Sequence, residues 1–293
     1  MTIRKRYFLI ALIAAISLQG CKLADLRTSK INYETELREP QAIEILEKTI
    51  LAHRLDKLKE ADTYEFRTRD DWKGMMAMMN PLPKDNTWMK MKFRPLSFDG
   101  QFQYLAGNKK EITYGIQSLK HYELEGEEAE FKKKEGIEFG IAAIQYLFEL
   151  PIRLIKAPIL KYAGTRNVEG TDYHLVFATW ESIEPNKNHD QYLLYIHPDT
   201  YQLAFANYTI RAMYMPMPKG MYGSIRYEDV AESPEGIKYA STLVVQINKL
   251  KKSQKYAHKM VIEDLKINTF EMDDLYPDRQ LKFLGDQKPV SRK

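Results

Sequence analysis

The chain has one cysteine in 293 residues, Cys21, which leaves no partner for an internal disulfide. Its six histidines are scattered without an HxH or HExxH pairing, and this removes the usual grounds for a zinc enzyme. No P-loop, no GxGxxG and no GxSxG elbow occurs, so nucleotide binding and serine-hydrolase chemistry have no motif to stand on. The neighbouring carboxylates Asp70-Asp71 and Asp273-Asp274 would point apart on a strand, which predicts solvated turns rather than an acid/base pair. No apolar run reaches the roughly twenty residues that a spanning helix needs. No catalytic grouping, resident metal or cofactor is therefore expected, and an enzyme is the less favoured class.

Charge of one sign is also scarce once the first residues are set aside. Arg4, Lys5 and Arg6 are the three bases among residues 1–20, so 44 bases against 40 acids become 41 against 40 in the remainder. A near-neutral chain has no electrostatic footprint for nucleic acid, and that partner is excluded.

What the N-terminus does contain is a tripartite pattern. The three bases precede an apolar stretch, Tyr7 to Ile16, and a small-residue junction, Ser17-Leu18-Gln19-Gly20. This is the layout of a secretion signal over residues 1–20. Leu18-Gln19-Gly20-Cys21 resembles a bacterial lipobox, with Gln19 less usual at its place. The resemblance implies diacylglycerol on the Cys21 sulfur, cleavage before it and acylation of the new amine, palmitate being a typical chain. The alternative is an ordinary signal peptide with an incidental cysteine. Two or more acyl chains, each buried CH₂ contributing about 0.8 kcal/mol, hold a protein on a membrane durably. Lys22, rather than Asp, follows the cysteine; by resemblance this implies the outer membrane of the envelope.

Residues 21–39 are polar and read as the lipidated cysteine and its tether. From Pro40, Ile43, Leu46, Ile50, Leu51, Leu55 and Leu58 fall on one helical face. From Thr63 the period drops to two. Met89, Met91 and Phe93 alternate with Lys90, Lys92 and Arg94, a strand wet on one side. Residues 123–138 are densely charged and read as an exposed loop or short helix. An apolar block, Ile137 to Tyr162, is interrupted by Pro151 and Pro158, which predicts two short helices with a bend. Ile141, Ile144 and Phe148 mark the face of the first; Ile152, Ile155 and Ile159 mark the second. Six strands are expected after it: 173–180, 191–196, 201–210, 223–230, 237–247 and 259–267. His197-Pro198-Asp199-Thr200 and Ser233-Pro234-Glu235-Gly236 supply hairpin turns. The whole reads as mainly antiparallel β with a few helices, a half-open curved barrel with lid helices. Residues 40–272 form its single domain, and 273–293 a polar tail.

This order of helix, strands, helical insertion and closing strands resembles the lipoprotein carriers typified by LolA, LolB and LppX. Residues 40–60 match the first helix, 63–116 the early strands, 137–163 the lid and 171–267 the closing strands. The hairpin Asp190 to Leu203 is similar to one in that family. The resemblance implies a cavity for lipid or acyl chains beneath the lid, which would make this an envelope lipoprotein that binds a lipid or other apolar ligand. Candidate wall residues are Phe66, Met89, Met91, Phe93, Phe102, Tyr104, Leu175, Phe177, Leu194, Phe205, Leu243 and Val245. Ile144, Phe148, Ile152 and Ile155 are candidates for the lid. The same faces could instead pack as a dry core, making the chain an interaction or scaffold subunit with an envelope protein as partner.

Two local features stand apart. Met75, Met76, Met78 and Met79 form one methionine cluster, and Met213, Met215, Met217 and Met221 another. Thioethers select Cu(I), yet without cysteine or paired histidine an adaptable apolar surface that touches membrane or partner is favoured. Lys249, Lys251, Lys252 and Lys255 make a basic tip between the last two strands, a solvated hairpin end or a contact for anionic headgroups.

Overall fold

The structure, a computed structural model, describes residues 23–83, 87–126, 128–211, 214, 218–248, 250 and 255–281. The signal, Cys21, Lys249, Lys251, Lys252 and most of the 213–217 cluster lie outside these residues.

Alternating apolar and polar side chains cannot bury both sets at once, so such strands assemble side by side with one wet face. Here they do so along nearly the whole chain. Thirteen strands form one antiparallel sheet: β1 Tyr64–Trp72, β2 Met89–Phe93, β3 Gly100–Tyr104, β4 Ile112–Gln117, β5 Lys120–Glu125, β6 Glu128–Phe131, β7 Ile159–Val168, β8 Thr171–Thr179, β9 Gln191–Ile196, β10 Leu203–Thr209, β11 Tyr222–Glu232, β12 Lys238–Ile247 and β13 His258–Ile267. Their order is β6-β5-β4-β3-β2-β1-β13-β12-β11-β10-β9-β8-β7. Two meanders thus meet where β1 pairs with β13, Tyr64 opposite Ile267 and Trp72 opposite His258. The edges β6 and β7 do not pair with each other, and the curved sheet stays unclosed.

Helices cover its concave face. α1 Pro40–His53 and α2 Leu55–Glu60 precede the sheet, separated by Arg54 in the left-handed region at φ 54°. α3 Glu135–Phe148 and α4 Leu150–Leu154 lie between β6 and β7 in sequence, so this segment joins the two free edges. The bend falls at Glu149, with Pro151 in the first turn of α4 where its missing N–H costs least.

Three expectations change in detail. Ile159 belongs to a strand, because Pro158 ends the helical path and β7 runs on to Val168. Gly164, at φ +85°, sits in the irregular register between Tyr162 and Thr165 that bends this edge strand. The charged stretch after residue 123 includes the β5–β6 hairpin, with Tyr122 opposite Phe131.

The third change concerns both ends of the domain. Residues expected as a tether are bound to the sheet. Leu26 and Ile31 are buried on its convex face with Ala163, Leu175, Phe177, Leu193 and Tyr195. Leu37 and Glu39 then flank β7, accepting and donating hydrogen bonds at Leu160, which covers an edge that would otherwise offer free backbone groups. The fully buried Lys161 ammonium reaches the carbonyls of Asn32, Thr35 and Glu36, the Thr35 hydroxyl and the Glu39 carboxylate, all at 2.8–3.2 Å. At the other terminus Leu275 is buried, and the Tyr276 hydroxyl donates to Asp99 at 2.8 Å.

Candidate functional site

One apolar cluster fills the space between the concave face and the four helices. Inward residues of β1–β3, namely Phe66, Met89, Met91, Phe93, Phe102 and Tyr104, belong to it, as do Leu194, Leu243 and Val245 from the other meander. Of the lid candidates, Ile144, Phe148 and Ile152 are buried in the cluster, and Ile155 packs against it partly buried. Phe148 is the keystone of this contact. Its ring centre lies 5.0 Å from that of Phe66, 5.7 Å from Tyr64 and 6.3 Å from Tyr239.

Leu175, Phe177 and Phe205, expected on the same wall, face the other way and pack on the convex side with Leu26 and Ile31. The reason is the period of two: in β8 it is Val176 and Ala178 that point into the concavity. The run Leu175 to Thr179 is buried on both faces because a distant segment covers the outside, so alternation alone could not assign its faces.

Beneath the bend between α3 and α4 a void of about 30 Å³ remains, lined by His53, Leu55, Phe148, Pro151, Leu203, Tyr227, Lys238, Tyr239, Ala240 and Leu243. It has room for one or two waters, whereas pockets for small ligands span roughly 300–1,000 Å³. The concave space is filled by side chains of the helices and the sheet packed in one apolar cluster. A larger groove, about 790 Å³, lies away from the lid and is open to solvent. Gln101, Leu124, Phe131, Asp273, Asp274 and Asp278 are among its walls.

Polar groups inside this apolar region were not foreseen. Glu149 at the bend and Arg153 one turn on are both fully buried. The Glu149 carboxylate accepts from the Tyr64 hydroxyl at 2.7 Å, Gln145 Nε2 at 3.0 Å, Leu96 N–H at 3.1 Å and Arg153 Nε at 2.8 Å. Arg153 also donates to the Ser97 carbonyl, and its guanidinium lies 4.7 Å from the Phe98 ring centre. Gln145 donates to the Arg94 carbonyl at 2.7 Å. Burial pushes the Glu149 carboxyl up, against the pull of Arg153, Gln145, Tyr64 and Leu96. Burial and the adjoining carboxylate raise the Tyr64 hydroxyl well above its ordinary value, so it stays a donor.

The β2–β3 loop is shaped for this contact. Leu96 adopts φ 56°, a left-handed conformation that costs a leucine on the order of 1 kcal/mol or more, and its N–H meets the carboxylate. The bend is therefore tied to the sheet by a hydrogen-bonded charge cluster set among hydrophobic contacts, and elsewhere along α3 the Tyr227 hydroxyl donates to the Leu147 carbonyl at 3.1 Å and His121 N–H to the Glu138 carboxylate at 3.3 Å. The i, i+4 spacing of Glu149 and Arg153 inside an apolar block was the available signal.

His53, at the end of α1, has a second polar role. Leu203 N–H donates to its Nε2 at 3.0 Å, so the ring is neutral there and Nδ1–H donates to the Lys238 carbonyl at 2.9 Å. Burial lowers its pKa below the ordinary histidine value.

Among the described residues no group of three or more His, Cys, Asp or Glu could hold a metal ion. Of the two methionine clusters, the side chains of Met75 and Met76 and residues Met213, Met215 and Met217 lie outside what is described.

No family model matches the chain, and no curated protein matches it. Solved structures with a related chain path include a LolA superfamily protein from Nitrosomonas europaea, at 9% identity and TM-score 0.48, covering 80% of this chain and 96% of that one. A DUF1329 family protein from Desulfovibrio piger aligns at 12% identity and TM-score 0.47, covering 81% and 99%. The lipoprotein LppX of Mycobacterium tuberculosis aligns at 12% identity and TM-score 0.24, covering 58% and 88%.

Proposed function

We propose that this chain is an envelope lipoprotein, acylated at Cys21 and held on the outer membrane, whose concave interior takes up a lipid or other apolar ligand when the α3–α4 lid moves aside. The observation that carries this reading is the construction of the lid. It spans the open side of an unclosed sheet, buries an apolar face against it, and carries a buried, hydrogen-bonded charge cluster at its bend, with lesser polar contacts from Tyr227 to the Leu147 carbonyl and from His121 N–H to Glu138. A buried ion pair contributes little net stability beyond well-packed apolar side chains, so we read the cluster at the bend as fixing the position of the segment rather than as a source of core stability. Displacing Phe148, Ile144 and Ile152 would expose the faces of β1–β3 and of Leu194, Leu243 and Val245 as walls. Burial of acyl surface would then supply about 25 cal/mol per Å², less the cost of opening.

Native mass spectrometry of delipidated protein mixed with phosphatidylethanolamine and phosphatidylglycerol tests it. A stoichiometric adduct that excludes a water-filled or empty interior supports the reading; no bound species at any lipid concentration ends it.

A second reading has its own support. The void of about 30 Å³ fits an interior that never opens, in a subunit that binds an envelope protein by its outer surfaces. Recovery of one stoichiometric protein partner with no extractable lipid would favour it.

A further inference from the structure

We propose that one end of the sheet, the end where β1 finishes at Trp72, is the face that rests on the bilayer, held there by the anchor at Cys21. The inference rests on the lipoprotein reading of Cys21 and adds to it a fixed orientation.

The register collects the relevant segments at this end. Trp72 is opposite His258, Val245 is opposite His258, and Gly223 is opposite Ile247. Thr209 is opposite Tyr222, and Met89 is opposite both Thr68 and Tyr104. The β1–β2, β3–β4, β10–β11 and β12–β13 connections therefore all leave from one side. The turn at His197–Thr200 lies at the other, where Ile196 is opposite Leu203.

The N-terminal segment reaches the sheet at this same end. Ala24 N–H donates to the Lys219 carbonyl at 2.9 Å in the β10–β11 connection. Arg211 clamps both, donating to the Ala24 carbonyl at 2.8 Å and to the Lys219 carbonyl at 3.0 Å. Ala24 is three residue steps from Cys21, a reach of about 10 Å when fully extended. An acylated Cys21 thus leaves almost no slack, and the surface around Lys219 must lie at the headgroups.

That surface carries the groups such a contact uses. Met78 is 73% exposed and Leu105 is 44% exposed, both in connections at this end, and Lys219 is exposed in the β10–β11 connection at the same end. Apolar side chains that enter the interface and a cation that meets anionic headgroups are the two components of peripheral membrane contact. Tyr214 ties the connections together: its hydroxyl donates to the Met79 carbonyl, and its ring centre lies 5.4 Å from that of Phe139 in α3. The first turns of the lid thus open toward the same surface, which would give a lipid leaving the bilayer a short path to the interior.

The test uses the full acylated chain in phosphatidylethanolamine/phosphatidylglycerol vesicles containing nitroxide-labelled lipid. Because acylation consumes the Cys21 sulfur, Met78→Cys, Leu105→Cys and Asp199→Cys each provide one thiol for an environment-sensitive dye. Dye at 78 and 105 should shift to the blue and be quenched by the lipid nitroxide, while dye at 199 should do neither. Acylated protein in which all three positions behave alike overturns the orientation and leaves the lipoprotein reading standing. An N-terminal peptide mass without acyl chains overturns both.

Discussion

His53 joins three parts of the molecule with two hydrogen bonds, since it ends α1, contacts β10 through Leu203 and meets the start of β12 through Lys238. Both bonds need the neutral ring. The folded-state pKa lies below the ordinary value near 6.5, for which burial is the largest cause. Between the two pKa values the unfolded chain binds the extra proton, so stability rises with pH there. The stabilisation is fully present above about pH 6.5 and is lost as pH falls toward the folded pKa. His121, buried against the Gly115 carbonyl, is shifted in the same direction by the same cause and adds to the slope. We expect the histidine contribution to the thermal midpoint to fall on acidification from pH 7.5 to 5.5, against an opposite slope from the Asp190 carboxyl, which burial pushes up to about 6, so the comparison with a His53 variant is the decisive reading. His53→Leu should be less stable by about 2–3 kcal/mol at pH 7.5, having orphaned a buried N–H and a carbonyl, yet should show a shallower pH slope. Parallel curves for the two proteins would mean that His53 does not titrate as described.

Strands depend on their neighbours for what a glycine lacks. Gly100, Gly115 and Gly223 each lie beneath an aromatic ring on the adjacent strand, from Phe93, Tyr122 and Tyr208 respectively, and each pair is cross-strand in register. Rings laid over glycines restore buried area while the backbone stays free to curve. A Cβ on Gly115 would come within 2.1 Å of the Tyr122 ring, whose hydroxyl is held by Gln101. Gly115→Ala should therefore cost about 1–3 kcal/mol, read from the urea midpoint, and Gly115→Ala with Tyr122→Leu should recover part of it. Most elements of this kind were legible in the residues. Met89 to Phe93 alternates as written and is buried at every second place, and the strand at 191–196 falls where its composition put it. β7 was not legible, because a short apolar run after a proline fits helix and buried strand equally well. The faces of β8 were hidden for another reason: the chain that covers them, Leu26 to Ile31, reads as polar tether and is distant in sequence. Sixteen side chains were expected around one interior, and thirteen are there. The polar cluster that fastens them was missed because its donors, Tyr64, Leu96 N–H and Gln145, come from three separate segments.

At the scale of the whole molecule, the question is whether the α3–α4 segment behaves as core or as lid, and the two roles predict different responses to one hydroxyl. Tyr64→Phe keeps the ring that packs on Phe148 and removes only the donor to Glu149. A hydrogen bond to a charged group is worth about 1.5–3 kcal/mol, and here the loss falls on the contact between sheet and lid. If lid opening is a local event, its population rises about ten- to hundredfold, at a factor of ten per 1.4 kcal/mol. Amide exchange over residues 144–154 should then accelerate by that factor, while strands β9–β12 change only as far as global stability does. Uptake of a fluorescent fatty acid or phospholipid should speed up in step, because the void beneath the bend has room for no more than one or two waters while the segment is in place. Acceleration of exchange without any uptake would indicate a loosened core in a protein that binds partners by its outer surface. If exchange accelerates equally across the sheet, the helices are part of the global fold and the lid does not exist as a separate unit. Simultaneous gain in local exchange and in lipid uptake is the outcome that the construction of this molecule predicts, since the fastening lies at the bend and the ends of the segment already run to the two open edges of the sheet.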